Sequence, residues 1–338
     1  MRKHKFLSIC ASVLLSLSVL TTGVLADTAE STASENSTAS DTSTSETDTT
    51  TNTVVAQSSE MGFPCDKLTD PNSASIYMVS LDTDTVVYTY NPDERRPMAS
   101  MTKIMTVIVA IENLDDLDQE ITLTQEMFQG LYEQDATQAG FQPGETVRAI
   151  DLLYGAMLPS GAECCIALAD TVGGSRDGFV ELMNKKAQRI GMNGTHFCDT
   201  TGLHDQDHYS TVRDIAVLLR YALRNDTFRE IIESPRHSTG VTNIHPSGIT
   251  YYSTMFKNLS DPSVTGGKIL GGKTGYTSEA GLCLASFAEV YDREYILVTA
   301  GASGNTGSPL HVEDAVTIYN RLGKAIEAQM TGSDGSES

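Results

Sequence analysis

The sequence predicts an α+β fold in which an antiparallel sheet is flanked by helices and a helical lobe is inserted between its strands. Two runs rich in β-branched and aromatic residues come first, at residues 74–81 and 85–90. Three more extended runs return only near the end, at residues 269–274, 282–290 and 295–300. The long region between these two groups has helical periodicity, so the helices form one insertion within the sheet.

The first two runs predict a β-hairpin, because Asp82-Thr-Asp84 between them favours a turn. A helix is expected to begin at Ser100, with its apolar body at residues 104–111. Further helices are predicted at residues 149–157, 164–172, 179–191, 211–225 and 309–327.

The chain ends predict export and a flexible connection. Arg2, Lys3 and Lys5 precede an apolar stretch at residues 6–20, and Val24-Leu-Ala26 offers small residues at a cleavage point. Residues 1–26 are therefore predicted to be a signal peptide. The alternative is an uncleaved anchor, which would be the protein's only membrane association. Both readings place the mature protein outside the cytoplasm, either secreted or associated with a cell wall.

The segment at residues 27–60 is rich in serine and threonine, which predicts a disordered tether. One folded domain is expected at residues 61–330, followed by a polar tail at residues 331–338.

Composition argues against nucleic acid as a partner and predicts the state of the cysteines. The net charge of −21 strongly disfavours binding to a nucleic-acid backbone, so no nucleic-acid partner is expected. Five cysteines follow the signal peptide, an odd number that predicts buried free thiols rather than a disulfide framework. They are Cys65, Cys164, Cys165, Cys198 and Cys283.

Three short motifs carry the chemistry: Ser100-Met-Thr-Lys103, Ser160-Gly-Ala162 and Lys273-Thr-Gly275. A serine and a lysine three residues apart share one face of a helix, so the amine can reach the hydroxyl. Ser100 is the predicted nucleophile and Lys103 its base. A base must be neutral part of the time, and burial together with the Lys273 charge would lower the pKa of Lys103.

With their flanking residues, these motifs resemble the penicillin-binding proteins and their serine β-lactamase relatives. The segments that begin at Arg95, Leu152 and Gly272 are similar to low-molecular-mass serine D-alanyl-D-alanine carboxypeptidases. The resemblance extends from about Ala74 to about Gly323. It implies a β-lactamase/transpeptidase-like fold with its active site in the cleft between the lobes.

The resemblance also implies roles for the remaining motif residues. Ser160 would relay protons between the lysines and the leaving amine. Lys273 and Thr274 would bind a substrate carboxylate, with Thr277 as a further contact. Gly275 would let the backbone approach the substrate, and the N–H groups of Tyr276 and Ser100 would form the oxyanion hole.

The chain departs from the family pattern at one position. Relatives have asparagine two residues after the second serine, where this chain has Ala162. That asparagine would hydrogen-bond the substrate's amide and hold the first lysine, and alanine can do neither.

Three other chemistries have partial support in the sequence. Residues 267–274 match a phosphate-binding loop, but no helix is expected directly after them. His204 and His208 with two aspartates could ligate zinc, but the segment is predicted to be a structural loop. Glu181 lies in the region where a β-lactamase holds its deacylating glutamate, but within a predicted helix.

The predicted function is that of an extracytoplasmic serine D-alanyl-D-alanine carboxypeptidase. It would remove the terminal D-alanine from peptidoglycan stem peptides through an acyl-enzyme on Ser100, without a cofactor or metal, and β-lactams would acylate it. Two alternatives remain open: a peptidoglycan-binding protein whose site is impaired by Ala162, and a D,D-endopeptidase on the same fold.

Overall fold

The computed structural model describes residues 71–305 and 307–333. The predicted signal peptide at 1–26, the tether at 27–60 and Cys65 lie outside the described residues, as do residues 334–338 of the predicted tail. In the described part of the chain, no helix is both long enough and apolar enough to cross a membrane.

In the described residues the strands fall into an N-terminal hairpin, two short pairs and a C-terminal group of four. They are β1 (Ser75–Ser80), β2 (Val86–Tyr90), β3 (Glu120–Thr122), β4 (Thr146–Arg148), β5 (Arg236–Ser238), β6 (Thr250–Tyr252), β7 (Ser263–Val264), β8 (Gly267–Thr277), β9 (Gly281–Val290) and β10 (Arg293–Ala302).

The helices lie mainly between the two groups of long strands. They are α1 (Lys103–Asn113), α2 (Ala149–Met157), α3 (Ala162–Gly173), α4 (Arg176–Ile190), α5 (Val212–Ala222), α6 (Asp226–Glu233), α7 (Thr254–Asn258) and α8 (Leu310–Ser333).

Six strands form one antiparallel sheet in the order β2-β1-β10-β9-β8-β7. The N-terminal hairpin thus joins the C-terminal strands, and the helical region is an insertion, as predicted. β7 pairs only with Gly267 and Lys268. The rest of β8, including the Lys273 motif, is therefore an edge of the sheet.

The sheet is covered on both faces. α8 packs on one face, where Val312, Ile318 and Tyr319 share a core with Met78 and Leu297. The other face and the helical lobe share a second, larger core built around α1. Residues 103–110 of α1 are all buried, as expected of a helix that lies at the centre of a domain. The element that follows the nucleophile motif is thus fixed on every side.

Three local predictions differ from the structure. Ser100 does not open an α-helix; it lies in a 3₁₀ turn, Ala99–Thr102, that precedes α1. The predicted helix at 211–225 is two helices, α5 and α6, because the Asn225 side chain accepts the Phe228 N–H and begins a new helix. α8 continues to Ser333, beyond the predicted end at residue 327 and into the predicted tail.

Candidate active site

Ser100 is held in a tight turn that a neighbouring loop supports. Ala99 has a φ of 47°, an unusual value for a residue other than glycine. Gly202, with a φ of 83°, lies so close that a Cβ there would be 1.9 Å from the Ala99 carbonyl oxygen. Only glycine fits this contact, so the loop at Gly202 fixes the backbone that presents the Ser100 hydroxyl.

Lys103 reaches Ser100 as predicted. Its Nζ lies 3.0 Å from Ser100 Oγ and donates to the carbonyl oxygen of Thr201 at 2.7 Å. Lys103 is only 3% exposed. Burial lowers its pKa, while the charges of Asp199 and Glu163 oppose the shift. The amine is therefore easier to deprotonate than an ordinary lysine and can serve as a base.

Ser160 and Lys273 form a second, parallel pair. Lys273 Nζ donates to Ser160 Oγ at 3.0 Å and to the Thr274 carbonyl oxygen at 2.8 Å. Burial lowers the pKa of Lys273 well below its ordinary value, and the Lys103 charge lowers it further. Ser160 has a φ of 73° in the break between α2 and α3. The structure thus brings together all four residues predicted to be catalytic.

Residues of β8 lie beside the two serine–lysine pairs. Without a side chain, Gly275 packs closely on the nucleophile turn, because a Cβ there would lie 3.0 Å from the Ser100 nitrogen. The Thr274 hydroxyl hydrogen-bonds that of Thr254 at 2.6 Å, and Thr277 Oγ1 accepts the Ala280 N–H at 3.0 Å. Each hydroxyl can still form a further hydrogen bond to a ligand.

Two cavities meet at Ser100. The larger, about 780 Å³, extends past Lys103, Ala162 and Thr277. The smaller, about 280 Å³, extends past Ser160 and Thr274. Ser100, Tyr276 and Thr137 border both cavities. A peptide lying across Ser100 could therefore place one half in each.

Ala162 cannot make the contact with the substrate amide that the family asparagine makes, and the adjacent Glu163 does not make it either. Glu163 is fully buried, and its Oε1 accepts the backbone N–H groups of Ala139 and Gly140 at 2.6 and 3.0 Å. The Thr201 carbonyl, which sequence reasoning missed, holds Lys103 instead. Backbone carbonyls leave no signature in a sequence, so only the structure could show this contact.

The loop that carries His204 and His208 is built for support. His208 is 4% exposed, and one ring nitrogen lies 2.8 Å from Thr102 Oγ1. Its other ring nitrogen accepts the N–H groups of Cys198 and Asp199 at 3.1 and 3.3 Å. The described residues contain no group of three or more His, Cys, Asp or Glu side chains that could hold a metal ion. His208 thus ties the Ser100 turn to the loop that presents Thr201.

The remaining sequence hypotheses are resolved by the same structure. Residues 267–274 lie within a strand that is followed by β9, not by a helix, which confirms the rejection of a phosphate-binding loop. Glu181 lies within α4, is exposed, and pairs with Lys185 at 3.0 Å.

The described cysteines are free thiols, as predicted. Cys164, Cys165 and Cys283 are buried, whereas Cys198 is only half-buried. Burial raises the pKa of Cys165 to about 12, so this thiol stays neutral beside the two lysines.

Comparison with known proteins agrees with this geometry. The profile of the D-alanyl-D-alanine carboxypeptidase family matches residues 64–304. A D-alanyl-D-alanine carboxypeptidase of a Streptomyces species is 31% identical over 280 residues, 80% of this chain and 94% of the relative. A D-alanyl-D-alanine endopeptidase of Escherichia coli is 30% identical over 237 residues, 69% of this chain and 72% of the relative.

The fold also matches solved structures. The crystal structure of a Streptomyces DD-transpeptidase superposes with a TM-score of 0.67 at 28% identity, covering 75% of this chain and 97% of that one. The sheet order, the inserted helices and the serine–lysine cleft define a serine hydrolase of the penicillin-binding class. The match to the family profile is more specific. The chain belongs to the D-alanyl-D-alanine carboxypeptidase family.

Proposed function

We propose that this protein is a serine D-alanyl-D-alanine carboxypeptidase that removes the terminal D-alanine of peptidoglycan stem peptides. The observation that carries the proposal is the pair of 3.0 Å contacts, from Lys103 to Ser100 and from Lys273 to Ser160. Both amines are buried and have a lowered pKa, which is the condition for lysine to act as a base near neutral pH. Family membership supports the substrate class.

Acylation follows from this geometry. Neutral Lys103 takes the Ser100 proton as Oγ attacks the carbonyl carbon of the penultimate D-alanine. In this proposal the N–H groups of Ser100 and Tyr276 stabilise the oxyanion. Ser160 gives its proton to the leaving nitrogen and is reprotonated from the lysine pair, and the C–N bond breaks. D-alanine departs and leaves an ester on Ser100.

Deacylation returns the enzyme to its starting state. Water attacks the ester carbonyl, Lys103 takes the water's proton, and Ser100 Oγ recovers a proton as the bond breaks. The products are the shortened stem peptide and free enzyme. The reaction needs no cofactor. β-Lactams carry an amide that Ser100 attacks in the same way, so they are expected to form a covalent adduct.

Export is part of the proposal, since peptidoglycan lies outside the cytoplasm. Residues 1–26 would direct secretion, and residues 27–60 would give the catalytic domain reach within the wall. Membrane association would occur only through an uncleaved N-terminal segment.

The proposal is tested by the mass of the purified protein after exposure to benzylpenicillin and by D-alanine release from a stem pentapeptide. Wild type should gain a single penicilloyl adduct and release D-alanine, and Ser100→Ala should do neither. Release by Ser100→Ala at the wild-type rate would end the proposal. An inert wild type would favour the impaired, peptidoglycan-binding alternative.

The endopeptidase alternative rests on a relative of that name with comparable identity. Product analysis on cross-linked and uncross-linked muropeptides separates the two activities. Cleavage confined to cross-linked dimers would replace the carboxypeptidase assignment.

A further inference from the structure

The position of the family asparagine is filled here by the methyl group of Ala162, which is 1% exposed. By resemblance, that asparagine has two tasks: it holds the first lysine and it hydrogen-bonds the substrate's amide. The Thr201 carbonyl already performs the first task, at 2.7 Å from Lys103 Nζ. The second task needs a polar side chain that borders the cleft near both Ala162 and Ser100.

Thr137 has the required location. It borders both cavities. Among the described residues, only Ser100 and Tyr276 also border both. It therefore lies where the two halves of a bound peptide would meet. Its side chain is exposed, and within the described part of the chain its hydroxyl forms no hydrogen bond. A threonine hydroxyl can both donate and accept, so it can bind either side of a peptide group.

The loop that carries Thr137 is fastened to the second motif itself. The Ala162 N–H donates to the Thr137 carbonyl oxygen at 2.8 Å. The buried carboxylate of Glu163, the next residue of α3, accepts the N–H groups of Ala139 and Gly140, which follow Thr137 in the loop. The first turn of α3 thus holds Thr137 in a fixed position relative to the residue whose side chain is missing.

We propose that the Thr137 hydroxyl replaces the family asparagine and hydrogen-bonds the substrate amide on the acyl side of the scissile bond. Thr137 is then a specificity-determining residue that recognises substrates with a peptide or acylamino group at that position. The inference rests on the proposed function, because it requires Ser100 to be acylated.

The test compares two β-lactams that differ in this amide. Benzylpenicillin has a side-chain amide, whereas 6-aminopenicillanic acid has a free amine in its place. The Ser100 acylation rate would be measured with both compounds for wild type, Thr137→Val and Thr137→Ser. Thr317→Val is the matched control, since Thr317 is exposed on α8.

Thr137→Val should slow acylation by benzylpenicillin roughly tenfold, the value of one hydrogen bond. It should leave the rate with 6-aminopenicillanic acid unchanged, and Thr137→Ser should restore the rate with benzylpenicillin. An equal loss with both compounds would show a merely structural role and overturn the proposal, as would no loss with either. Failure of wild type to form any adduct would instead overturn the proposed function.

Discussion

Gly202 offers a direct test of whether the loop around it positions the nucleophile. An alanine Cβ at this residue would lie 1.9 Å from the Ala99 carbonyl oxygen and 2.4 Å from its carbon. Both are backbone atoms, so no side-chain rotation relieves the contact. Ordinary contact begins near 3.4 Å, and the two segments must therefore separate by about 1.5 Å. Because Ala99 precedes Ser100, the nucleophile moves with it.

The expected loss follows from that displacement. A misplacement of about 1 Å in a reacting group costs on the order of 100-fold in rate. Gly202→Ala should therefore slow acylation of Ser100 by at least about 100-fold. Its φ of 83° adds a conformational cost of about 1–2 kcal/mol in stability, because alanine is disfavoured in the left-handed region.

Gly191→Ala is the matched control. Gly191 has nearly the same φ, 87°, but an added Cβ would have nothing within 4 Å. This variant should therefore lose about 1–2 kcal/mol of stability while acylating at the wild-type rate. The assay is the acylation rate with a fluorescent penicillin, beside urea unfolding of each variant. Wild-type acylation by Gly202→Ala, or an equal slowing in both variants, would refute the positioning argument.

Three further predictions concern the buried titratable groups. Because burial lowers the pKa of Lys103 and only the neutral amine can take the Ser100 proton, the acylation rate should rise with pH and level off below 10.5. A rate that still climbs at that pH would contradict this. Lys273 also has a lowered pKa, so unfolding takes up a proton and wild-type stability rises with pH below 10.5. In urea unfolding, Lys273→Met should flatten the rise of unfolding free energy with pH without lowering stability. The acylation rate should fall at least about 100-fold. A clear loss of stability in this variant would contradict the prediction. Burial lowers the pKa of His208, so stability should decline as pH falls below 6.5. His208→Phe should weaken this dependence at a cost of about 2–4 kcal/mol at neutral pH, and buried His311, whose pKa is lowered to about 4, accounts for a remainder. An unchanged acid dependence would exclude His208 as a source.

The sequence predicted the parts of the site that depend on side-chain identity and spacing. Ser100 and Lys103 are three residues apart in one turn, so their proximity follows from local geometry. The strand that carries Lys273 was predictable from its composition and from the extended run that follows it. These features are local, and local patterns are what a single sequence reports well.

The parts that depend on distant backbone could not be predicted. Thr201 contributes a carbonyl oxygen, which every residue has, so nothing at that position distinguishes it. The role of His208 depends on Thr102, which lies 106 residues away in the chain. The cleft position of Thr137 depends on the buried Glu163, which the Ala139 N–H contacts across 24 positions in the chain.

The site combines several locally unfavourable features, and the fold explains how they persist. Ala99 and Ser160 both have positive φ, which costs about 1–3 kcal/mol for each residue other than glycine. Lys103 and Lys273 are buried amines that disfavour each other's charge. Such features persist only where the surroundings leave no alternative. The buried helix α1 continues directly from the turn and fixes its C-terminal end. The Gly202 loop and β8 pack against the turn itself. Displacing any one of these neighbours should therefore let the turn move and slow the acylation of Ser100, as expected for Gly202→Ala.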